Sequence, residues 1–243
     1  MRNRLLCALL LLVATPAGAE CRDTSFEHQR FTLCHVTLGQ DLRLFLTDDT
    51  GQVWGSFDRL QAALQADGNR LVFAMNAGMF RPDRMPAGFY VEAGEQRRAL
   101  VTREGPGNFG LLPNGVFCIA EDGFAVIESR AFAEDPPDCL HATQSGPMLV
   151  IDGALHPRFR AESTSAYVRN GVGVSGDGRE AWFVISQAPV TFHHFARYFR
   201  DALGAPNALY LDGNISRLYA PELGRDDWGL PLGPIVGLVE PNG

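Results

Sequence analysis

A strand–helix–strand pattern over residues 169–216 constrains the fold more than any other feature of this sequence. Residues 172–174 and 182–186 have the pattern of a β-hairpin, and the apolar segment 208–211 reads as a further strand. Between them, one apolar stripe at helical spacing predicts an amphipathic helix; it consists of Phe192, Phe195, Ala196, Phe199 and Leu203. Thr191 is suited to cap its start, and Gly204 to end it. Strand, helix and strand in this order predict a crossover between parallel strands.

An earlier segment repeats the arrangement. Residues 41–47 alternate between apolar and polar, residues 56–66 read as a helix, and residues 71–75 form an apolar strand. The two apolar strands end in polar residues, Asn76 and Asp212. Because ligands bind at the carboxyl ends of parallel strands, we predict that Asn76 and Asp212 point into one crevice if the two strands are neighbours in a sheet.

The remaining pattern is rich in strands. Residues 31–38 and 41–47 are expected to form a hairpin that turns at Gly39, and residues 116–120 and 124–128 a second one that turns at Gly123. Nine or more predicted strands accompany only two principal helices, both in β-α-β crossovers. No linker divides the chain, and 46% apolar residues are enough to bury one core. We therefore predict a single α+β domain over residues 20–243 with a mixed β-sheet core.

The first 19 residues have the three regions of a secretory signal peptide. Arg2 and Arg4 precede an apolar run over residues 5–14, and Ala17, Gly18 and Ala19 form a small-residue cleavage site. The expected mature protein is periplasmic or secreted, with no stable membrane insertion after cleavage.

Four cysteines remain after this cleavage: Cys21, Cys34, Cys118 and Cys139. An even number in an exported protein favours disulfides. Three pairings are open, and we favour 21–34 with 118–139 because cysteines close in sequence flank single hairpin-like segments. Four buried thiols are the alternative, while zinc is disfavoured because no Cys-x-x-Cys occurs.

The charged residues exclude several functions. All 21 basic residues are arginine, so neither a lysine Schiff base nor a P-loop is present. Loss of residues 1–19 would remove two arginines and shift the net charge from −7 to about −9. Such a chain is a poor partner for nucleic acid.

Three apparent motifs do not carry the chemistry they suggest. The run from Gly171 to Gly176 matches G-x-G-x-x-G, but a strand follows it where a dinucleotide site needs a helix, so we interpret it as part of a hairpin. Ser145 lacks the glycine two residues earlier that a nucleophile elbow requires. His193 and His194 form no zinc motif; they are either solvated helix residues or, in the first turn of a helix, ligands of a phosphate.

Five polar segments nevertheless form a recognisable series. They are residues 76–80 (NAGMF), 114–115 (NG), 145–153 (SGPMLVIDG), 169–173 (RNGVG) and 211–216 (LDGNIS). In this order and spacing the chain resembles the phosphodiester glycosidase family over nearly all of its mature length. The family pattern has NGGFF and LDGGGS at the first and last segments, so this chain has Ala77 in place of one glycine and Asn214 and Ile215 in place of two others.

The resemblance implies cleavage of the bond between the anomeric carbon of a sugar and a phosphodiester oxygen, in an envelope or exopolysaccharide substrate. Asp212 would be the nucleophile or base and Arg169 the phosphate ligand. The further residues expected to bind substrate are Asn76, Gly78, Asn114, Gln144, Ser145, Gly146, Asn170, Gly213, Ser216, His193 and His194. Four of these residues have a structural alternative: Asp212 as a turn residue, Arg169 in a core ion pair, and Asn76 and Asn114 as residues that tolerate left-handed backbone.

Two other functions stay open from the sequence. The same residues would suit a glycan-binding module of the cell envelope that performs no catalysis. No cofactor is predicted, although a divalent cation held by Asp212 and a second carboxylate such as Asp152 is a further alternative.

Overall fold

The computed structural model describes residues 20–242, so the predicted signal peptide at residues 1–19 lies outside the described residues. The strands in chain order are β1 Glu20–Phe26, β2 Gln29–Thr37, β3 Asp41–Phe45, β4 Asn69–Asn76, β5 Tyr90–Glu92, β6 Glu95–Arg98, β7 Gly115–Ile119, β8 Phe124–Glu128, β9 His141–Ser145, β10 Met148–Ile151, β11 Ala154–Leu155, β12 Ala166–Tyr167, β13 Asn170–Val174, β14 Glu180–Ser186, β15 Val190–Thr191, β16 Asn207–Asp212, β17 Leu218–Ala220, β18 Arg225–Asp226 and β19 Ile235–Pro241. The helices are α1 Phe57–Ala66, α2 Ser129–Glu134 and α3 Phe192–Arg197, which continues into a π-helical turn at Tyr198–Ala202. A short 3-10 turn occupies Pro221–Leu223.

Three larger sheets surround a common core. The first has seven strands in the order β1-β2-β14-β13-β16-β10-β11, and the others have five each, β18-β17-β4-β19-β3 and β6-β5-β9-β7-β8. Phe183 of the seven-stranded sheet contacts Phe73 and Phe117, one from each five-stranded sheet, with ring centroids 5.5 and 5.6 Å apart. All three side chains are buried, so each sheet presents an apolar face to the other two.

Each of these sheets carries one helix on its outer face. The apolar stripe of α3 packs on the seven-stranded sheet, α1 packs on the sheet that contains β4, and α2 packs on the sheet that contains β7. The predicted cap of α3 is confirmed, because the Thr191 hydroxyl accepts the backbone N–H of His194. The Ser56 hydroxyl caps α1 in the same way by accepting the backbone N–H of Arg59. α2 lies in a segment for which the sequence pattern predicted no helix.

The α+β class is confirmed, since strands predominate and helices are few. The crossovers have a geometry that the sequence did not predict. Every strand pairing described within residues 20–242 is antiparallel. β14 and β16 run parallel to each other but lie on either side of β13, and β3 and β4 likewise lie on either side of β19. Each crossover therefore joins parallel strands that are separated by a third strand.

Of the three predicted hairpins, those formed by β7 with β8 and by β13 with β14 are confirmed. The other is wrong: β2 pairs with β1 and β14, whereas β3 pairs with β19 in a different sheet. The side chain of Gln40 accepts the backbone N–H of Thr37 at 2.7 Å and closes the turn at that point. Because Leu42 and Leu44 are buried against the shared core, the chain passes from one sheet to another here.

Glycines in β13 allow α3 to approach the sheet. A Cβ atom on Gly173 would lie 2.6 Å from Cδ1 of Phe199, and one on Gly171 would lie 3.2 Å from Cε1 of Phe195. The interpretation of the G-x-G-x-x-G run as part of a hairpin is confirmed by the pairing of β13 with β14. Its glycines serve helix packing at these two positions.

The predicted disulfides, Cys21–Cys34 and Cys118–Cys139, are both present. The first joins β1 to β2 at opposed positions, and the second ties β7 to the segment before β9. Within residues 20–242, no helix has the length and apolar character that crossing a membrane requires.

Candidate active site

A cavity of about 470 Å³ opens where β16 ends and β13 begins. Residues of β12, of the start of α3, and of the loops that follow β4 and precede β7 also line this cavity. The residues that line it are Met79, Phe80, Asn108, Ser165, Tyr167, Arg169, Phe192, Tyr210, Asp212, Gly213, Asn214 and Ile215. Three of the residues selected from the sequence, Arg169, Asp212 and Gly213, therefore lie in one wall.

Asp212 is the one carboxylate among these lining residues. A register shift between β13 and β16 adds a residue to β16 just before it, so that Asp212 lies opposite Asn170. Asp212 is 7% exposed, and its Oδ1 accepts the backbone N–H of Asn214 at 2.8 Å. Burial raises the pKa of its carboxyl, and hydrogen bonds from the backbone N–H groups that follow oppose the rise. The carboxyl is thus fixed at a strand end and accepts a proton more readily than an exposed aspartate.

Arg169 is a buried cation at the same cavity, with 1% of its surface exposed. Nε donates to the carbonyl of Val190 at 2.8 Å, one terminal nitrogen donates to the Tyr210 hydroxyl at 3.2 Å, and the other donates to the carbonyl of Ser165 at 3.2 Å. The guanidinium carbon lies 3.6 Å from the ring centroid of Phe192, a cation–π contact. These contacts hold the guanidinium plane in a single orientation.

No carboxylate within the described residues forms an ion pair with Arg169. The structural alternative of a core ion pair therefore does not apply to this arginine. A guanidinium has five N–H donors, and the three bonds to protein leave one donor on each terminal nitrogen. Burial lowers its pKa, since the charge lacks water and a counter-ion. The site thus has the charge and the free donors that an anion requires.

Tyr210 joins the two charged residues. It lies two positions before Asp212 on β16, and the two residues line the same cavity. Its hydroxyl accepts from Arg169, and burial raises its pKa. A Cβ atom on Gly213 would overlap this hydroxyl and would lie 3.7 Å from the nearer terminal nitrogen of Arg169. Glycine at position 213 is therefore what allows tyrosine, arginine and the Asp212 turn to meet.

A pair of buried amides lies behind the cavity. Nδ2 of Asn170 donates to Oδ1 of Asn76 at 3.0 Å, and Oδ1 of Asn170 accepts the backbone N–H of Asp212 at 2.9 Å. Asn76 and Asp212 thus come together through Asn170, although β4 and β16 belong to different sheets and the premise of neighbouring strands is wrong. Ser216 adds a bond from its hydroxyl to the carbonyl of Asp212 at 2.6 Å. Asn76, Asn170 and Ser216 are not among the residues that line the cavity.

Gln144 and Ser145, which were also predicted to bind substrate, form hydrogen bonds within the protein instead. The amide of Gln144 bonds to the backbone of Phe89 and Val101 and to the Ser129 hydroxyl, and the Ser145 hydroxyl donates to the carbonyl of Leu211. None of these groups lines the cavity.

The remaining predicted residues of the central sheets stand in close packing. The side chain of Asn114 donates to the carbonyl of Phe109 at 2.8 Å and so holds the loop that carries Asn108. Gly78 and Gly146 permit close approach, since a Cβ atom would lie 2.9 Å from Oγ1 of Thr143 and 2.6 Å from Cβ of Asn114 respectively. Their contribution to binding remains a prediction, through the residues they position.

His193 and His194 lie at a separate surface depression beside Arg197, not at the cavity that contains Asp212. The ring of His194 faces Glu27, with Nδ1 3.6 Å from the carboxylate, and packs against Phe26 and Phe31. Burial lowers the pKa of His194.

Asp152 cannot share a cation with Asp212. Its backbone N–H bonds to the side chain of Asn207, the first residue of β16, whereas Asp212 is the last. Five residue-to-residue steps along the strand separate these ends by about 16 Å. The described residues contain no group of three or more His, Cys, Asp or Glu side chains that could hold a metal ion.

Several lining residues were not selected from the sequence: Asn108, Tyr167, Phe192 and Tyr210. Tyr210 had a detectable signal, because it lies two residues before Asp212 and an unbroken strand would place both on one face. Phe192 was assigned only to the apolar stripe of α3, and nothing in the sequence relates it to Arg169.

Comparison with known proteins gives a consistent result. The sequence profile described as phosphodiester glycosidase matches residues 69–226. The chain is 34% identical over 220 residues to the uncharacterized protein YigE of Escherichia coli (strain K12), an alignment that covers 89% of this chain and 85% of YigE.

Two solved structures share the fold. The zebrafish N-acetylglucosamine-1-phosphodiester alpha-N-acetylglucosaminidase catalytic domain, auto-inhibited by its pro-peptide, superposes with a TM-score of 0.60 at 13% identity, covering 91% of this chain and 82% of that one. A Burkholderia pseudomallei K96243 protein named as exported has a TM-score of 0.58 at 12% identity, covering 86% and 74%. At these identities the likeness is one of fold.

Proposed function

Because this chain belongs to the phosphodiester glycosidase family, we propose that it is an exported hydrolase that cleaves the bond between C1 of a sugar and a phosphodiester oxygen. The observation that carries the proposal is Arg169, a buried guanidinium with two free donors and no carboxylate partner, in the same cavity wall as Asp212. A phosphodiester anion supplies both the charge and the paired acceptors that this arginine lacks.

The number of carboxylates also favours this substrate. Most glycosidases flank the scissile bond with two carboxyl groups, one of which protonates the leaving oxygen. Among its described lining residues this cavity has Asp212 alone. A phosphate monoester leaves without prior protonation because its charge is spread over the phosphate oxygens and is stabilised here by Arg169. One carboxylate and one cation therefore suffice for the reaction.

In the proposed step the C1–O bond breaks, and the electron pair leaves with the phosphate group. Asp212 either forms a bond to C1, giving a glycosyl ester that water then hydrolyses, or removes a proton from the water that attacks C1. Both routes yield the free sugar and a phosphate monoester. Asp212 must be ionised in either route, and its raised pKa therefore sets the acidic limit of activity.

The proposed location is the periplasm or the cell exterior, and the proposed substrate is an envelope or exopolysaccharide-type phosphodiester. The two disulfides support an oxidising compartment. N-acetylglucosamine is the first sugar to test, since the zebrafish enzyme of the same fold is named for it.

The test is release of free sugar from N-acetylglucosamine 1-(methyl phosphate) and its glucose and galactose counterparts by residues 20–243. We expect Asp212→Asn to lower the rate by about 10²-fold or more, with an unchanged melting temperature, because asparagine retains the oxygen that accepts from Asn214.

Asp152→Asn is the matched control, since Asp152 lies in an exposed turn, and it should retain the wild-type rate. The same assay with a chelator tests the cation alternative. Wild-type rates in Asp212→Asn would remove that residue from the mechanism. Binding of these compounds without release of sugar would favour the non-catalytic glycan-binding module.

A further inference from the structure

Three exposed apolar side chains lie close together in sequence, outside the cavity. Trp228 is 91% exposed, Leu230 is 69% exposed, and Leu223 is also exposed. Trp228 forms no ring contact with the other described aromatic residues. We call Leu223, Trp228 and Leu230 the Trp228 patch. Such a tryptophan adds nothing to the core and has its whole ring available to a ligand.

The loop that carries Trp228 is firmly held. The side chain of Arg217 donates to the carbonyl of Asp227 at 2.7 Å and to that of Leu230 at 3.1 Å, one on each side of Trp228. The carboxylate of Asp227 accepts the backbone N–H of Leu218 at 2.9 Å. The tryptophan therefore lies on a loop that is already ordered, which lowers the conformational entropy cost of binding a ligand there.

The brace connects this loop to the cavity. Arg217 follows Ser216 in the polar segment after β16, and its backbone N–H donates to Oδ1 of Asn76 at 2.9 Å. Ile215, two residues before it, lines the cavity and packs against the apolar cluster that contains Leu232. The loop that carries Trp228 is thus bonded through Arg217 to the segment whose residues 212–215 line the cavity.

Resting on the proposed function, we propose that the Trp228 patch is a subsite for an uncharged stretch of the glycan chain whose phosphodiester is cut in the cavity. A pyranose presents one face of C–H groups, which suits the electron-rich face of an indole, and its hydroxyls can accept the indole N–H. The proposed substrate is therefore a polysaccharide that extends beyond the sugar-1-phosphodiester group that is cleaved.

The charges around the patch disfavour two other partners. Glu222, Asp226 and Asp227 lie in the same segment, where Arg225 pairs with Asp227 at 2.8 Å and the Arg217 guanidinium is engaged by the carbonyls of Asp227 and Leu230. An anionic membrane gains little from such a surface, since interfacial binding draws on an excess of basic residues. Three side chains also fall far short of the roughly 800 Å² per partner of a stable protein interface.

Binding of chitohexaose, cellohexaose and maltohexaose, none of which contains phosphate, tests the subsite independently of catalysis. We expect at least one hexasaccharide to bind in calorimetry and to reduce acrylamide quenching of tryptophan fluorescence. Trp228→Ala should weaken that binding about tenfold or more, and Leu230→Ala less. Leu140→Ala is the matched control, because this exposed leucine lies elsewhere in the chain and should change nothing.

Failure of all three hexasaccharides to bind, or equal binding by wild type and Trp228→Ala, overturns the subsite even if sugar release is observed. Binding through Trp228 with no release of sugar would instead contradict the proposed function and leave the subsite standing. If wild type but not Trp228→Ala co-sediments with phosphatidylcholine–phosphatidylglycerol vesicles, the Trp228 patch binds a membrane and not a glycan. If ultracentrifugation shows a dimer that depends on Trp228, the patch binds a second copy of the chain.

Discussion

Replacing Arg169 with lysine separates the role of charge from that of geometry. Lysine keeps the positive charge but supplies it as a point, whereas the guanidinium presents two free donors in a fixed plane beside the cavity. If both donors bind a phosphodiester, Arg169→Lys loses one charge-assisted hydrogen bond, worth about 1.5–3 kcal/mol. At about 1.4 kcal/mol per factor of ten, affinity for a charged ligand should fall by roughly 10- to 150-fold.

The same change has a cost in stability that must be measured separately. Lysine cannot reproduce both the bond to the buried carbonyl of Val190 and the bond to the carbonyl of Ser165, and loss of the first would cost about 1–3 kcal/mol. Thermal unfolding should therefore show a lower melting temperature. Binding is measured well below that temperature, and Tyr210→Phe is the matched control, since it removes one hydrogen bond of Arg169 but keeps the guanidinium and the ring.

The assay is calorimetry with two ligands of one sugar, the 1-(methyl phosphate) and the uncharged methyl glycoside. We expect Arg169→Lys to weaken the charged ligand and to leave the uncharged one within about twofold. Equal losses for both ligands, or no loss for either, would refute the assignment of Arg169 to phosphate. A fall in melting temperature with unchanged affinity would mean that this arginine serves the fold alone.

Three further predictions follow from the same structure. Gly213→Ala should displace the Tyr210 hydroxyl, lower the free energy of unfolding by about 1–3 kcal/mol and slow sugar release. Gly176→Ala is the control, because its new Cβ atom would meet only Cγ of Pro206, at 3.9 Å, and it should behave as wild type in the same unfolding and activity assays. Exported protein without residues 1–19 should give no thiol with Ellman's reagent until it is denatured and reduced, and then four; any thiol in the native protein would contradict the pairing. Burial lowers the pKa of His141 and of His156 to about 4, below the ordinary 6.5. Between these two pH values the unfolded chain binds more protons than the folded protein does. The free energy of unfolding should therefore decrease as pH falls from 6.5 towards 4, by no more than about 1.4 kcal/mol per pH unit for each histidine. Urea unfolding of wild type and His156→Gln at pH 7 and pH 4.5 measures this, and an equal pH dependence in the two proteins would contradict it.

Local features of the fold were predictable because local chemistry determines them. α3 begins after Thr191, the hydroxyl residue expected to cap it, and the turn at Gly123 joins β7 to β8. Sheet membership was not predictable in the same way. Alternation in β3 shows that Leu42 and Leu44 are buried, but it is equally satisfied by any partner strand, and the partner proved to be β19, nearly two hundred residues away.

In the candidate site, too, local features were predictable from the sequence and tertiary contacts were not. Polar residues at the ends of apolar strands indicated Asn76 and Asp212, and the structure brings them together through Asn170. The aromatic surroundings of Arg169 depend on how α3 lies over the sheet, a tertiary relation that no spacing encodes. For the same reason the sequence could not tell that Gln144 and Ser145 direct their polar groups inward, to backbone partners in other elements.

The position of β19 between β3 and β4 governs the order in which this protein can be assembled. β3 and β4 are made early, yet they do not pair with each other, and the strand that joins them is made after every other described strand. A chain that is synthesised from its first residue onward thus holds two open strand edges until residues 235–241 are made. The sheet that supplies Asn76 cannot close before then, so the site becomes complete only when nearly the whole chain has been made.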